Sequence, residues 1–279
     1  MKRIVQWFLL LLFAGTLSAR AADEVKQEPA PQAATPRHSL LNDRFRVTLG
    51  GFYAESTTEA RLSPAAGGVG ADINFEDALG LPERKLVVES ALYWRFVERW
   101  RFDLNYFALN RSASRILATQ IDWGGNTYPV GTAVDTSYQV RDLRAAVGYS
   151  FFRRPDKELG LGLGLHSTKF GASLDAAGIG AKSESVTAPL PITVFYGNFA
   201  LTDTWALSLR ADWLSLSYDK YSGSIRSNAI DLVWQPLEHW AFGFGVHSLT
   251  LRMSVDNPNS KLESRIVFQG PSAFASFSF

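Results

Sequence analysis

The sequence predicts an all-β chain closed into one antiparallel up-and-down transmembrane barrel of about ten strands. Three observations carry this. Apolar and polar residues alternate with period two over most of the chain, turn-forming residues separate the alternating segments, and past the first residues no apolar run could cross a bilayer as a helix. Hydrophobic residues are 46% of the chain and aromatic residues 13%, with 22 Gly and only 2 Met. That composition favours strands and tight turns over helical bundles.

The first residues read as an export address. Lys2 and Arg3 precede the apolar run Phe8 to Ala14, and Ala19, Arg20 and Ala21 form a small-x-small cleavage site, so residues 1–21 are expected to be a signal peptide. Residues 22–43 are rich in Glu, Gln, Ala and Pro and show neither period, which predicts a disordered periplasmic tether that includes a solvated His38. The barrel is expected over residues 44–279. There are no cysteines, which excludes a lipid-anchored N-terminal cysteine, disulfides and thiolate metal sites. A net charge of +1 gives no bulk attraction to nucleic acid.

The alternation is plainest at Leu159, Leu161, Leu163 and Leu165, interleaved with Gly160, Gly162 and Gly164. A helix would scatter these leucines, whereas a strand collects them on one face. Similar patterns predict strands at 44–62, 85–97, 100–116, 134–152, 158–174, 186–201, 204–219, 224–235, 240–256 and 263–279. Pro189 and Pro191 fall inside the sixth and predict an irregular start or a bulge there. Short connections at 97–99, 153–157, 202–204 and 237–239 are assigned to the periplasmic end. Longer ones, at 63–84, 117–133, 175–185, 219–223 and 257–262, are assigned to the outside. Three of the short turns are followed at once by Trp100, Trp205 and Trp240, which predicts an aromatic girdle at the periplasmic interface.

The polar face carries Glu89, Arg95, Arg101, Asp103, Arg144, Arg210, Asp212 and Asp231, acids and bases in nearly equal number. Such side chains can satisfy one another across a narrow lumen, so a charge-paired, plugged interior is expected rather than a wide pore. His166 and His247 fall on the same inner face, each followed by a serine that a strand turns the other way. Arg141 falls on the predicted lipid face. The segment 72–77 offers alternating oxygen ligands but lacks the glycine and distant glutamate of a complete calcium loop, so no metal or cofactor is expected.

The final strand, with Ala273, Ala275, Phe277 and Phe279 alternating to a terminal phenylalanine, resembles the C-terminal signature of Gram-negative outer-membrane β-barrel proteins. That resemblance implies an outer-membrane location and recognition of Phe277 and Phe279 by the barrel assembly machinery. It also implies a monomer among outer-membrane lipids and lipopolysaccharide. The lipid A deacylases of this class carry a His-x-Ser spacing absent here, and the acidic pair and His–Asp couple of the omptin proteases do not map onto the sequence. The expected function is a non-enzymatic envelope barrel acting structurally or through its loops. A narrow solute channel and a lipid A-modifying enzyme are the alternatives.

Overall fold

The structure, a computed structural model, describes residues 38–64, 71–123, 126–218, 221–257 and 260–279. A short helix α1 (Ser39–Asn42) leads into β1 (Phe45–Pro64), and β2 (Ala71–Asn74) and α2 (Phe75–Leu79) follow. Next come β3 (Arg84–Val97), β4 (Trp100–Ile116), the small hairpin β5 (Ile121–Trp123) and β6 (Asn126–Tyr128), then β7 (Ala133–Arg154) and β8 (Lys157–Asp175). The chain ends with β9 (Lys182–Ala200), β10 (Trp205–Tyr218), β11 (Tyr221–Trp234), β12 (Trp240–Asn257) and β13 (Ser260–Ser278). All neighbours are antiparallel, and β13 pairs with β1 to close a wall of ten strands, with β2 extending only the far end of β1. The ten segments expected from alternation are these ten strands, with ends shifted by a few residues.

Following cross-strand partners once around the wall from Thr187 returns to the same strand at Phe199, a stagger of twelve residues. Ten strands with that stagger tilt by about 40° to the barrel axis. This tilt brings Trp100, Trp205, Trp234, Trp240 and Phe151 to one height at the short-turn end. Trp100 and Trp240 are exposed on the outer surface, and Trp205 stacks on Trp234 with ring centroids 6.0 Å apart.

Each long strand changes character partway along. In β7, Leu143, Val147, Tyr149 and Phe151 face outward and exposed while Asp142, Arg144 and Ser150 are buried inside. Toward the other end of the strand, Val134, Tyr138 and Val140 are buried inside while Asp135, Ser137 and Arg141 are exposed. In β8, outward Leu161, Leu163 and Leu165 give way to Lys169 and Asp175, while inward His166 and Thr168 give way to Phe170 and Leu174. The pleat is unbroken; only the side that carries the apolar residues switches. The outward apolar band from Phe151 to Leu143 therefore spans roughly 20 Å along the axis at this tilt. An outer-membrane barrel has such a band of about 25 Å. Beyond it the wall has a polar exterior and an apolar interior, as in a water-soluble barrel. Against the expectation of one apolar outer side along whole strands, the outward residues are apolar only in the half nearer the short turns.

Three expectations need correction. The connections at 219–223 and 257–262 are not long: Tyr218 pairs with Tyr221 and Asn257 with Ser260, so the ladders of these strand pairs run until two residues separate their ends. Pro189 and Pro191 neither delay nor bulge their strand, which starts at Lys182 and pairs with β8 through both prolines. The effect falls on the other edge: the β9–β10 ladder stops at Thr193–Trp213, because a residue without an N–H cannot extend it. Lastly, His38 is not solvated; the rest of the expected tether, 22–37, and the expected signal peptide lie outside the described residues.

His38 is fully buried at the short-turn end of the barrel, and its Nδ1 accepts the Leu40 N–H at 3.0 Å, capping α1. Leu40 and Leu41 are buried, Leu40 packing with Ala206, Val233, Ala241 and the Phe274 ring. The Ser39 N–H donates to Gln235 Oε1 and Arg153 donates to the Leu41 carbonyl. Burial lowers the His38 pKa from 6.5 to about 4. A released α1 would carry an ordinary histidine and take up a proton that the docked one excludes. Docking is therefore at full strength above pH 6.5 and weakens as pH falls from there toward 4. Hydrogen exchange should show Leu40 and Leu41 less protected at pH 5 than at pH 7.5, and His38→Asn, which keeps a capping acceptor, should remove that difference. Equal protection at both pH values in the parent protein would refute the coupling.

Candidate functional site: the closed lumen

The lower half of the barrel, wrapped by the apolar band, must place its inward side chains in a narrow space without bulk water. Among the described residues it holds six carboxylates (Glu89, Asp103, Asp142, Glu158, Asp212, Asp231), five arginines (Arg46, Arg95, Arg101, Arg144, Arg210) and two histidines. Nearest the short turns, Arg95 forms two 2.9 Å bonds with Glu158, whose carboxylate also accepts from Ser150 and, at 3.4 Å, from Asn198. Arg101 bonds Asp103 at 2.9 Å and lies flat on the Tyr196 ring, 3.3 Å from its centroid. The ring sits over Gly148 and Gly160, where an added Cβ would collide with it. Gly148 of β7 and Gly160 of β8 thus make room for an aromatic platform under a buried arginine.

One level higher, Arg144 grips Asp212 with bonds of 2.7 and 2.8 Å and also reaches Asn105 at 3.2 Å. Arg210 donates to the same Asn105 oxygen at 3.3 Å and approaches Asp212 at 3.8 Å. His166 bonds Asp142 at 2.8 Å, and Thr168 donates to the other oxygen of that carboxylate at 2.6 Å. The second nitrogen of His166 is 3.5 Å from Asp212, within ion-pair range but without hydrogen-bond geometry. His247 bonds Asp231 at 3.0 Å and lies 3.5 Å from Glu89. Every residue expected from sequence to line the lumen therefore sits in this half and takes part in an ion pair, while Arg46, not among them, lies over the Tyr93 ring. Reading the sequence missed Asp142 and Glu158, which supply the carboxylates for His166 and Arg95.

Neither histidine is bonded to a serine; both are held by carboxylates. His247 lies under Phe52, with ring centroids 6.1 Å apart, and Phe52 packs edge-on against Phe107. Above these rings the interior is a continuous apolar core that includes Leu109, Val140, Phe170, Ile225, Leu249 and Phe268. Its mouth is stoppered by α2. Glu76 turns inward to pair with Arg111 and accept the Thr58 N–H at 2.9 Å, while Phe75 meets Tyr138 edge-on and Leu79 and Leu81 are buried. The segment 72–77 is thus part of this stopper, and no group of metal-ligating side chains occurs among the described residues. The lower polar space is a cavity of 130 Å³ between α1 and the charged layer. It has room for about four waters. A pocket of 40 Å³ lies under Phe52 and Phe107.

No protein-family model matches the sequence, and no curated protein does. Solved structures do. The outer membrane protease OmpT from Escherichia coli aligns with a TM-score of 0.57 at 11% identity, over 84% of this chain and 96% of its own. The transport unit of the autotransporter AIDA-I from Escherichia coli aligns at 9% identity over 84% and 89%, with a TM-score of 0.39. The P. putida toluene transporter TodX aligns at 9% identity over 85% and 90%, with a TM-score of 0.35. The first likeness establishes the fold: a closed ten-strand antiparallel barrel like that of OmpT.

The buried pairs and the exposed ones should differ sharply in energetic weight. Arg144→Met leaves Asp212 buried without its bidentate partner and should cost about 3 kcal/mol. Arg84→Met removes only an exposed partner of Glu55 and should cost about 0.5 kcal/mol or less. Urea-induced unfolding in lipid vesicles measures both; equal losses would contradict the assignment of the lumen network as what holds the lower half together.

Proposed function

We propose that this protein resides in the bacterial outer membrane as a non-enzymatic, non-conducting barrel, and that it acts through its outer wall and protruding rim. The observation that carries this reading is closure of the interior at three levels: α1 at the short turns, the paired charges at mid-height, and the apolar core with α2 above. A channel needs a continuous polar path, and selectivity needs a ring biased to one sign of charge. Here six carboxylates face five arginines and two histidines, and a rigid apolar layer lies across the path.

The enzymatic alternative would require a substrate to reach His166 or His247. Both lie beneath the Phe52 and Phe107 layer, and the pocket next to them has 40 Å³, about the volume of one water. The protruding half, by contrast, adds a polar-walled cylinder and an open cleft of 730 Å³ at the rim lined by β1, β10, β11, β12 and β13. The outer-membrane location rests on the fold, the outward apolar band and the aromatic belt at one of its edges. Recognition of Phe277 and Phe279 by the assembly machinery is part of the same reading.

Planar-bilayer recording tests it. Pure full-length protein should insert without discrete conductance steps, and fractionation of a Gram-negative host should place it with the outer membrane. Reproducible steps carried by the parent protein would favour the channel, as would steps that appear on deleting residues 22–43.

A further inference from the structure

The collar where the apolar band ends carries charges on its outer surface that do not balance. The carboxylates that face outward there are matched: Glu55 with Arg84 at 3.2 Å, Glu59 with Arg265 at 3.5 Å, and Glu263 opposite Arg61 across the β1–β13 ladder. Four cations remain, Arg141 on β7, Lys169 on β8, Arg226 on β11 and Arg252 on β12, all exposed. None has a carboxylate within ion-pair distance among the described residues. At the short-turn end, acids and bases are instead mixed, as in Glu98 with Arg153 and Asp156 with Lys157.

The register makes the imbalance sharper. Arg141 is the direct cross-strand partner of Lys169, and Arg252 is that of Arg265, with Arg226 one diagonal step below Arg252. Like charges placed opposite each other on one face of a sheet repel, and a bound anion beside them relieves that repulsion. Below each pair the wall is apolar, with Leu143 and Leu165 under the first. Trp213, the cross-strand neighbour of Arg226, stands beside the second with 58% of its surface exposed. An anion at this height that also has acyl chains to lay on those residues is a lipid headgroup phosphate.

Resting on the outer-membrane reading above, we propose that Arg141 with Lys169, and Arg226 with Arg252, are two binding sites for the phosphates of a phosphorylated glycolipid of the outer leaflet, of the lipid A type. They are separated around the wall by β9 and β10 on one side and by β13, β1, β3 and β4 on the other. Each clamps a phosphate between two cations while the acyl chains cover the leucine and tryptophan surface beneath. Juxtamembrane cations contribute about 1 kcal/mol each to holding anionic lipid, a factor of about five in affinity.

The test is lipid binding by the purified full chain in an uncharged detergent, read by native mass spectrometry and by the shift in thermal unfolding. Diphosphorylated lipid A should bind and raise the unfolding temperature, and the same lipid without its phosphates should bind markedly more weakly. Inorganic phosphate should do neither. Arg141→Gln with Lys169→Gln should remove one bound lipid and weaken that site about 25-fold, from two charges at about fivefold each. Arg226→Gln with Arg252→Gln should do the same for the other. Conservative Arg141→Lys should retain binding, and unchanged heat-modifiable gel migration shows that the variants are folded. Equal binding of the dephosphorylated lipid, an equal shift with inorganic phosphate, or undiminished binding by both double variants would overturn the proposal. These readouts use purified protein, so mislocalisation in cells would count against the outer-membrane reading and leave the binding result standing.

Discussion

The structure depends on one constraint: the same pleated strands carry an apolar outer face over half their length and a polar one over the other half. A pleat offers only two faces. Where lipid lies outside, the outward face must be apolar, so the inward face is free to be polar but must satisfy itself within a narrow, nearly dry space. Where water lies outside, the outward face is polar, and the interior must then be apolar to hold the wall together. The switch between Val140 and Asp142 on the inside of β7, mirrored by Arg141 and Leu143 on its outside, is this constraint written into four neighbouring residues.

The closed lumen follows from it. In the lower half Arg144, Arg95 and Arg101 cannot reach bulk water, and each is held by a carboxylate from a strand wall or by an aromatic face. Breaking one such pair leaves an uncompensated charge, which makes the network mutually dependent. In the upper half Phe52, Phe170, Leu249 and Phe268 fill the same cylinder with an apolar core. Outside this packed interior lie the outer wall, its collar of cations and the rim.

Much of this was legible in the residues. Strand positions could be read because alternation with period two marks a strand whichever face is buried, and Trp100, Trp205 and Trp240 follow their turns at a fixed offset. The inversion could also have been found, since the apolar residues of β7 and β8 change parity partway, at Val140 to Leu143 and at Leu165 to Phe170. A reading that assigns one apolar face to each strand averages over that slip. Glu158 was missed because it sits beside the Arg153 to Lys157 turn and looks solvated. Glu76 was missed because it comes from a connection, where no periodicity says which side chains turn inward. The docking of His38 depends on contacts with residues nearly two hundred positions away, such as Gln235, and has no local signature.

Because the chain has no cysteine, single labels can be placed at will. The most direct test of the inversion is spin-label accessibility in vesicles at Leu163→Cys, Ser173→Cys and Phe170→Cys, which span the switch on one strand. With lipid ending at the switch, the first is quenched by oxygen and shielded from a polar nickel reagent, the second is reached by the nickel reagent, and the third is protected from both. A label at position 173 that behaved like the one at 163 would contradict the inversion, because the lipid would then cover the whole strand.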